Sequence, residues 1–221
     1  MILVPIKNLA NAKQRLAPAL EQADRTELAH TMLKDVIEAL VESSADEISM
    51  VTADAFALEL AREHNLAVIH DESNISETDA IEMATRHCKS RGIDCTVVIP
   101  GDIPLIAAAE VRAIYANAPQ NGTVLVPSHD KRGTNAVLRR PASLFSLRFG
   151  NDSFTPHLAA AIATEKTCVV LSLAGIALDI DTAEDLHALA RAQGQKPSQI
   201  LARKFGFGYS DNENSVFAAK P

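Results

Sequence analysis

Thr96-Val97-Val98-Ile99 runs directly into Pro100-Gly101-Asp102-Ile103-Pro104-Leu105, and this junction limits the possible folds more than any other stretch. Four consecutive β-branched residues predict a strand that is apolar on both faces, as at the centre of a parallel sheet. Pro-Gly ends the strand, and the first charged side chain beyond it is Asp102. Open α/β sheets bind ligands in the crevice beyond the carboxyl ends of their strands. An aspartate placed there can hold a divalent cation. Pro-Gly-Asp is also ordinary turn chemistry, in which the side chain bonds its own backbone.

The flanking sequence repeats a strand–helix rhythm. Residues 2–6 read as a strand, and residues 21–42 as a long amphipathic helix with Leu28, Met32, Leu33, Val36, Ile37 and Leu40 at helical spacing. A strand over 47–53, a helix over 54–64, a strand over 66–69 and a helix over 76–88, capped by Ser76 or Thr78, lead to the central strand. A helix over 110–117 and a buried strand over 122–127 follow. This order predicts an α/β fold, a Rossmann-like, mostly parallel sheet flanked by helices with right-handed crossovers. The pattern then changes to a polar turn over 131–135, a charged strand over 136–141 and a short alternating strand over 145–149, together a small β insertion. A helix starting at Ser153, a strand over 167–173, a strand over 176–181 running into a helix to Ala192, and a helix over 197–205 complete the expectation. The chain therefore reads as a single domain over 1–205 and a polar tail over 206–221, either mobile or an oligomer contact.

Composition narrows the class of function. The formal net charge of −7 opposes binding to nucleic acid, and 4% aromatic residues without Trp argue against base-stacking platforms. Three scattered cysteines (Cys88, Cys95 and Cys168) read as reduced thiols of a cytoplasmic protein. Met1–Lys7 is too short and too soon charged for a signal peptide, and no run reaches membrane length. We therefore expect neither a membrane nor a nucleic-acid partner.

Three further segments carry charge in telling places. Residues 7–16 hold Lys7, Lys13 and Arg15 with no acid, directly after the first strand, where α/β folds bind phosphate. A short charge run is also commonly a solvated loop. Residues 150–154 open a helix, whose free N–H groups favour an anion, although Ser and Asp there also serve as plain caps. Asp179 and Asp181 lie two apart and share one side of an extended chain, which favours a cation between them. Thr182 caps the next helix, with Asp185 three residues on. The dinucleotide and phosphate-loop glycine motifs, the serine nucleophile elbow and His-Glu-x-x-His are all absent. Of seven histidines only His157 lies near a suspected anion site, and it reads as a packing or hydrogen-bonding residue.

Together these signals fit nucleotidyl transfer. Asp102, Asp179 and Asp181 would bind Mg²⁺, while Lys7, Lys13 and Arg15 take the remaining charge of a triphosphate. Gly133, Thr134, Gly150 and Ser153 would offer backbone and hydroxyl donors to a second phosphate. A phosphate monoester acceptor has its second pKa at about 6 and needs no general base. Catalysis would then consist of positioning and charge neutralisation as pyrophosphate leaves.

Five motifs in order carry a resemblance: Pro5-Ile6-Lys7 with Ala12-Lys13-Gln14-Arg15-Leu16, Pro100–Leu105, Gly133-Thr134-Asn135-Ala136, Phe149-Gly150 with Ser153-Phe154 and His157, and Asp179-Ile180-Asp181-Thr182. Over roughly residues 2–190 the sequence resembles the CofC/FbiD guanylyltransferases of coenzyme F-420 biosynthesis, a branch of the MobA-like nucleotidyltransferases. The resemblance implies a fold of the nucleotide-diphospho-sugar transferase type. It also implies GTP as donor, Mg²⁺ as cofactor, and 2-phospho-L-lactate, phosphoenolpyruvate or 3-phospho-D-glycerate as acceptor, with hand-over to the next transferase of the pathway. Asp102, Asp179 and Asp181 match the metal ligands, and Thr134, Gly150 and Ser153 the acceptor-binding residues. Lys7, Lys13 and Arg15, with Pro100 and Gly101, fall in the nucleotide-binding segments. One departure is Ile75-Ser76-Glu77-Thr78-Asp79-Ala80, where relatives carry Gly-Leu-Asn; Glu77 or Asp79 could accept from guanine's N–H groups. Another MobA-like transferase, acting on a sugar phosphate or molybdenum cofactor, and a non-catalytic nucleotide-binding module are the alternatives. A homodimer is left open.

Overall fold

The computed structural model describes residues 1–71, 76–150 and 152–208. Its centre is a seven-stranded sheet in the order β3-β2-β1-β4-β6-β5-β7. The strands are β1 (Ile2–Pro5), β2 (Ile48–Thr52), β3 (Ala67–His70), β4 (Thr96–Val98), β5 (Gly122–Pro127), β6 (Thr134–Arg140) and β7 (Thr167–Val170). All neighbours are parallel except β6, which runs antiparallel to both β4 and β5. Because β6 is reversed, its first residues reach the edge where β1, β4 and β5 end. That reversal delivers Thr134 and Asn135 to the crevice.

The helices are α1 (Gln22–Ser43), α2 (Ala55–Glu63), α3 (Glu77–Ser90), α4 (Ala108–Ala116), α5 (Phe154–Ala163), α6 (Ala174–Ala177), α7 (Ala183–Arg191) and α8 (Pro197–Lys204). Alternation along β1 divides the core. Ile2 and Val4 pack with Leu33, Val36, Ile37 and Leu40 of α1 on one face. Leu3 packs with Ala80, Ile81 and Ala84 of α3 on the other. A third cluster joins Leu28 and Met32 of α1 to Leu186 and Leu189 of α7 and Leu201 of α8. The apolar stripe read from the sequence of α1 is wholly buried, and burying one such side chain is worth about 2 kcal/mol.

Two expected strands do not form. Residues 145–149 make no ladder; their backbone N–H groups go instead to side chains, Leu147 N–H to Glu82, Arg148 N–H to His157 and Phe149 N–H to Thr78. Their alternation records burial of Phe145, Leu147 and Phe149 against the α3 side of the core. Residues 176–181 comprise the end of α6 and an irregular stretch. There Ala177 O accepts from His129 N–H and Ile180 N–H donates to Asp102 O, each bond to a different neighbour. The tail also begins later than expected, since Phe207 is buried on α7 and α8 and Gly208 N–H donates to His187. The rest of the expected tail, and Ile75 of the departing segment, lie outside the described residues. No helix among those described is long and apolar enough to cross a membrane.

Candidate active site

Two adjoining cavities of about 590 and 400 Å³ open along the carboxyl edge of the sheet. Lys7, Lys13 and Gly101 line the smaller cavity, and Thr134, Gly150, Ser153 and Asp179 the larger. Arg15, Glu77, Pro100, Asp102 and Asp181 line both. The expected metal-ligating, nucleotide-binding and acceptor-binding residues therefore border one continuous crevice, whereas Asp79 and His157 do not.

Two 3-10 turns, Leu9–Asn11 and Gln14–Leu16, fold the segment after β1 back over the crevice. Asp54 accepts from Leu9 N–H, and Leu16 is fully buried. Between the turns Lys13 takes a left-handed conformation (φ 56°), and its side chain is only 8% exposed. Lys13 Nζ donates to Asp102 Oδ2 at 2.7 Å and to Asp181 Oδ1 at 2.9 Å. Arg15 reaches Asp181 Oδ2 at 3.5 Å. The main-chain bond from Ile180 N–H to Asp102 O, 3.1 Å, ties together the segments that bear these acids. Burial works against a charged Lys13, but the carboxylates of Asp102 and then Asp181 hold its pKa above the ordinary lysine value. Asp181 is partly desolvated, yet Lys13 and Arg15 depress its pKa.

Asp179 stands apart from this pair. Its Oδ1 accepts from Asn135 Nδ2 at 3.1 Å, and the same amide donates to Ile176 O. Burial, reinforced by the charges of Asp102 and Asp181, raises the Asp179 pKa against that hydrogen bond. Asp102 and Asp181 thus converge on a single cation, here the Lys13 ammonium, and offer hard oxygen donors that suit Mg²⁺. No three His, Cys, Asp or Glu side chains among the described residues are grouped as a ready metal cluster.

The larger cavity is strongly acidic. Glu77, Asp102, Asp130, Asp152, Asp179, Asp181 and Asp185 line it, against Arg15, Arg132 and His129. An anionic ligand entering it requires added positive charge. Its far wall is made by the β5–β6 loop and the start of α5. Gly133 N–H donates to Ser128 Oγ and Thr134 N–H to Ser153 Oγ, so these two amides are already engaged. At Gly133 and Thr134 the expected backbone donors are therefore already spent, and the wall presents the hydroxyls of Thr134 and Ser153. Ser153 does not cap α5; its conformation is already helical and its oxygen serves Thr134 instead. Gly150 has φ 121°, a region that L side chains avoid, at the mouth of this wall. Arg132 and Asp152 form a paired-nitrogen salt bridge beside it.

Glu77, the first residue of α3, borders both cavities and is the main site residue whose position the sequence left open. Burial and the charge of Asp102 push its carboxyl up to about 7, although Lys7 and Lys13 oppose the shift. Asp79, the other suggested partner for guanine, borders neither cavity and accepts from Ser76 Oγ in the cap of α3. Asn135 was visible only as part of the Gly133-Thr134-Asn135-Ala136 motif, and nothing in its spacing announced a bond to Asp179.

The fold and crevice define a nucleotidyltransferase-type α/β protein. A provisionally assigned nucleotide-diphospho-sugar transferase from Desulfovibrio desulfuricans G20 superposes with a TM-score of 0.75 at 19% identity, covering 92% of this chain and 93% of that one. More particularly, the chain belongs to the family described as guanylyl transferase CofC like, whose model matches residues 1–219. The phosphoenolpyruvate guanylyltransferase of Roseiflexus castenholzii is 34% identical, over 92% of this chain and 93% of its own length. The 2-phospho-L-lactate guanylyltransferase of Methanothermobacter thermautotrophicus is 33% identical, over 96% and 94%.

Proposed function

We propose that the protein moves GMP from GTP to a small phosphorylated carboxylic acid and releases pyrophosphate, as a step of coenzyme F-420 biosynthesis. One observation carries the reading: the Asp102–Lys13–Asp181 cluster sits where a cation-lined cavity meets one walled by hydroxyls. The smaller cavity, with Lys7 and Lys13, takes the nucleotide triphosphate. The larger cavity takes the acceptor against Thr134, Gly150 and Ser153. Candidate acceptors are 3-phospho-D-glycerate, phosphoenolpyruvate and 2-phospho-L-lactate.

Asp102 and Asp181 are the residues that would hold Mg²⁺, with Asp179 nearby and bonded to Asn135. Bound there, Mg²⁺ would supply the charge neutralisation that the acidic cavity lacks for an anionic pair of substrates. Lys13 holds the two carboxylates in register and places a positive charge beside the triphosphate. The acceptor's phosphate oxygen attacks the α-phosphorus, the bond to the pyrophosphate breaks, and Lys7, Lys13 and Arg15 stabilise the charge that leaves. Thr134 and Ser153 orient the acceptor so that attack is effectively intramolecular. Incubation with GTP, Mg²⁺ and the three acids together, followed by product mass spectrometry, tests the reading. A guanylyl-diphospho adduct of at least one acid is expected; no adduct of any of them would overturn it.

A further inference from the structure

His157 is buried behind the hydroxyl wall, only 1% exposed. Phe149 meets its ring edge-on at 5.3 Å, and Phe145 packs beside it at 6.5 Å. Both ring nitrogens are engaged. Arg148 N–H donates to Nε2 at 2.8 Å, so Nε2 carries a lone pair and the proton of the neutral ring is on Nδ1. Nδ1 lies 2.9 Å from Thr134 Oγ1. The neutral form is the stable one here, because burial and then the Arg139 guanidinium push the ring's pKa down to about 4.

A proton count follows from these contacts. Nδ1–H donates to Thr134 Oγ1, so one lone pair of that oxygen is taken and its own proton must point elsewhere. Among the described residues that proton is given no hydrogen-bond acceptor, and Thr134 lines the larger cavity. Ser153 is in a matching state, since its oxygen accepts from Thr134 N–H and its hydroxyl proton is unspent. The wall therefore shows donors to the cavity, which suits an anion and not a cation.

We infer that His157 is a positioning residue for the acceptor: by donating from Nδ1 to Thr134 while accepting Arg148 N–H at Nε2, it turns the Thr134 hydroxyl into a fixed donor toward an anionic oxygen of the phosphorylated acid. This rests on the reading of the larger cavity as the acceptor site. His157 touches neither substrate and acts through Thr134.

Two substitutions separate the two halves of its role. In His157→Asn the amide nitrogen can stand near Nδ1 and keep the donation to Thr134. In His157→Gln the longer amide reaches the Nε2 position and keeps only the bond from Arg148. Steady-state kinetics should show His157→Gln raising the KM for the acceptor about tenfold, the size of one lost hydrogen bond to a charged group, with the KM for GTP unchanged. His157→Asn should stay within about threefold of wild type by the same scale. Thr134→Val, which removes only the hydroxyl, should reproduce the His157→Gln loss, and the double variant should lose no more. Equal losses in His157→Asn and His157→Gln, additive losses in the double variant, or a change in the KM for GTP would overturn the inference. If wild-type protein turns over none of the three acids, the acceptor reading has failed, and calorimetric titration with inorganic phosphate replaces the kinetics. Weaker binding to His157→Gln but not to His157→Asn would then support the hydroxyl's polarity, and equal binding would overturn it.

Discussion

Single titratable groups decide how this site responds to pH, and two of them act in opposite senses. His157 is neutral in the fold, with its pKa pushed down to about 4 from the ordinary 6.5. A depressed folded value means that the folded state binds fewer protons than the unfolded one. The contribution is therefore whole above pH 6.5 and is lost as pH falls toward 4, a change of about 3 kcal/mol. Glu77 does the reverse. Its carboxyl is pushed up to about 7, so its contribution is whole below the ordinary carboxylate value and is lost as pH rises through 7. The two windows overlap, so the wild-type stability curve alone is uninformative. The difference between wild type and His157→Gln removes the Glu77 contribution. Chemical denaturation should show the wild type losing stability relative to that variant between pH 6.5 and 4. A constant difference across the window would contradict a neutral, buried ring. The sequence marked His157 by its neighbours alone; its protonation state depends on Arg139 and two phenylalanines that only tertiary packing brings near.

At the scale of elements, the hydroxyl wall of the larger cavity rests on an irregular segment hung from α3. Glu82 accepts from Leu147 N–H and lies 3.9 Å from the Arg139 guanidinium, which in turn donates to Thr85 and to Phe145 O. Arg139 is 1% exposed and has lost some of its ordinary basicity to burial. Removing Glu82 leaves a buried cation without its carboxylate. Because Glu82 is itself 29% exposed, we expect Glu82→Ala to cost about 1–2 kcal/mol, less than a fully buried pair. Denaturant melts should show that loss together with a raised KM for the acceptor. An unchanged stability would mean that Arg139 needs no partner there. Period-two burial of Phe145, Leu147 and Phe149 looks the same in sequence whether the backbone pairs with a strand or with side chains of Thr78, Glu82 and His157. Residues 176–181 resemble a strand for a related reason: Asp179 and Asp181 face one crevice, but through separate anchors to Asn135 and Lys13 rather than on a strand.

For the whole molecule, the parallel half of the sheet was legible because its strands are short apolar runs punctuated by caps and Pro-Gly, and α1 because its stripe is wholly buried. What the sequence could not convey is that β6 runs backwards between β4 and β5, since strand direction is set by pairing and not by composition. That reversal brings Thr134 and Asn135 to the same edge as Asp102, and the main-chain bond from Ile180 N–H to Asp102 O holds Asp181 within reach of Lys13. In the proposed reaction, this meeting point is where the guanylyl group passes from GTP to the acid. Pyrophosphate release from GTP, measured with Mg²⁺ and a phosphorylated three-carbon acid, tests it most directly when wild type is compared with Asp102→Asn. Release is expected from the wild type only when the acid is present, with a loss of at least about 100-fold in a folded Asp102→Asn protein, the size seen when a main electrostatic group is removed from an active site. Release at the wild-type rate by Asp102→Asn would contradict it.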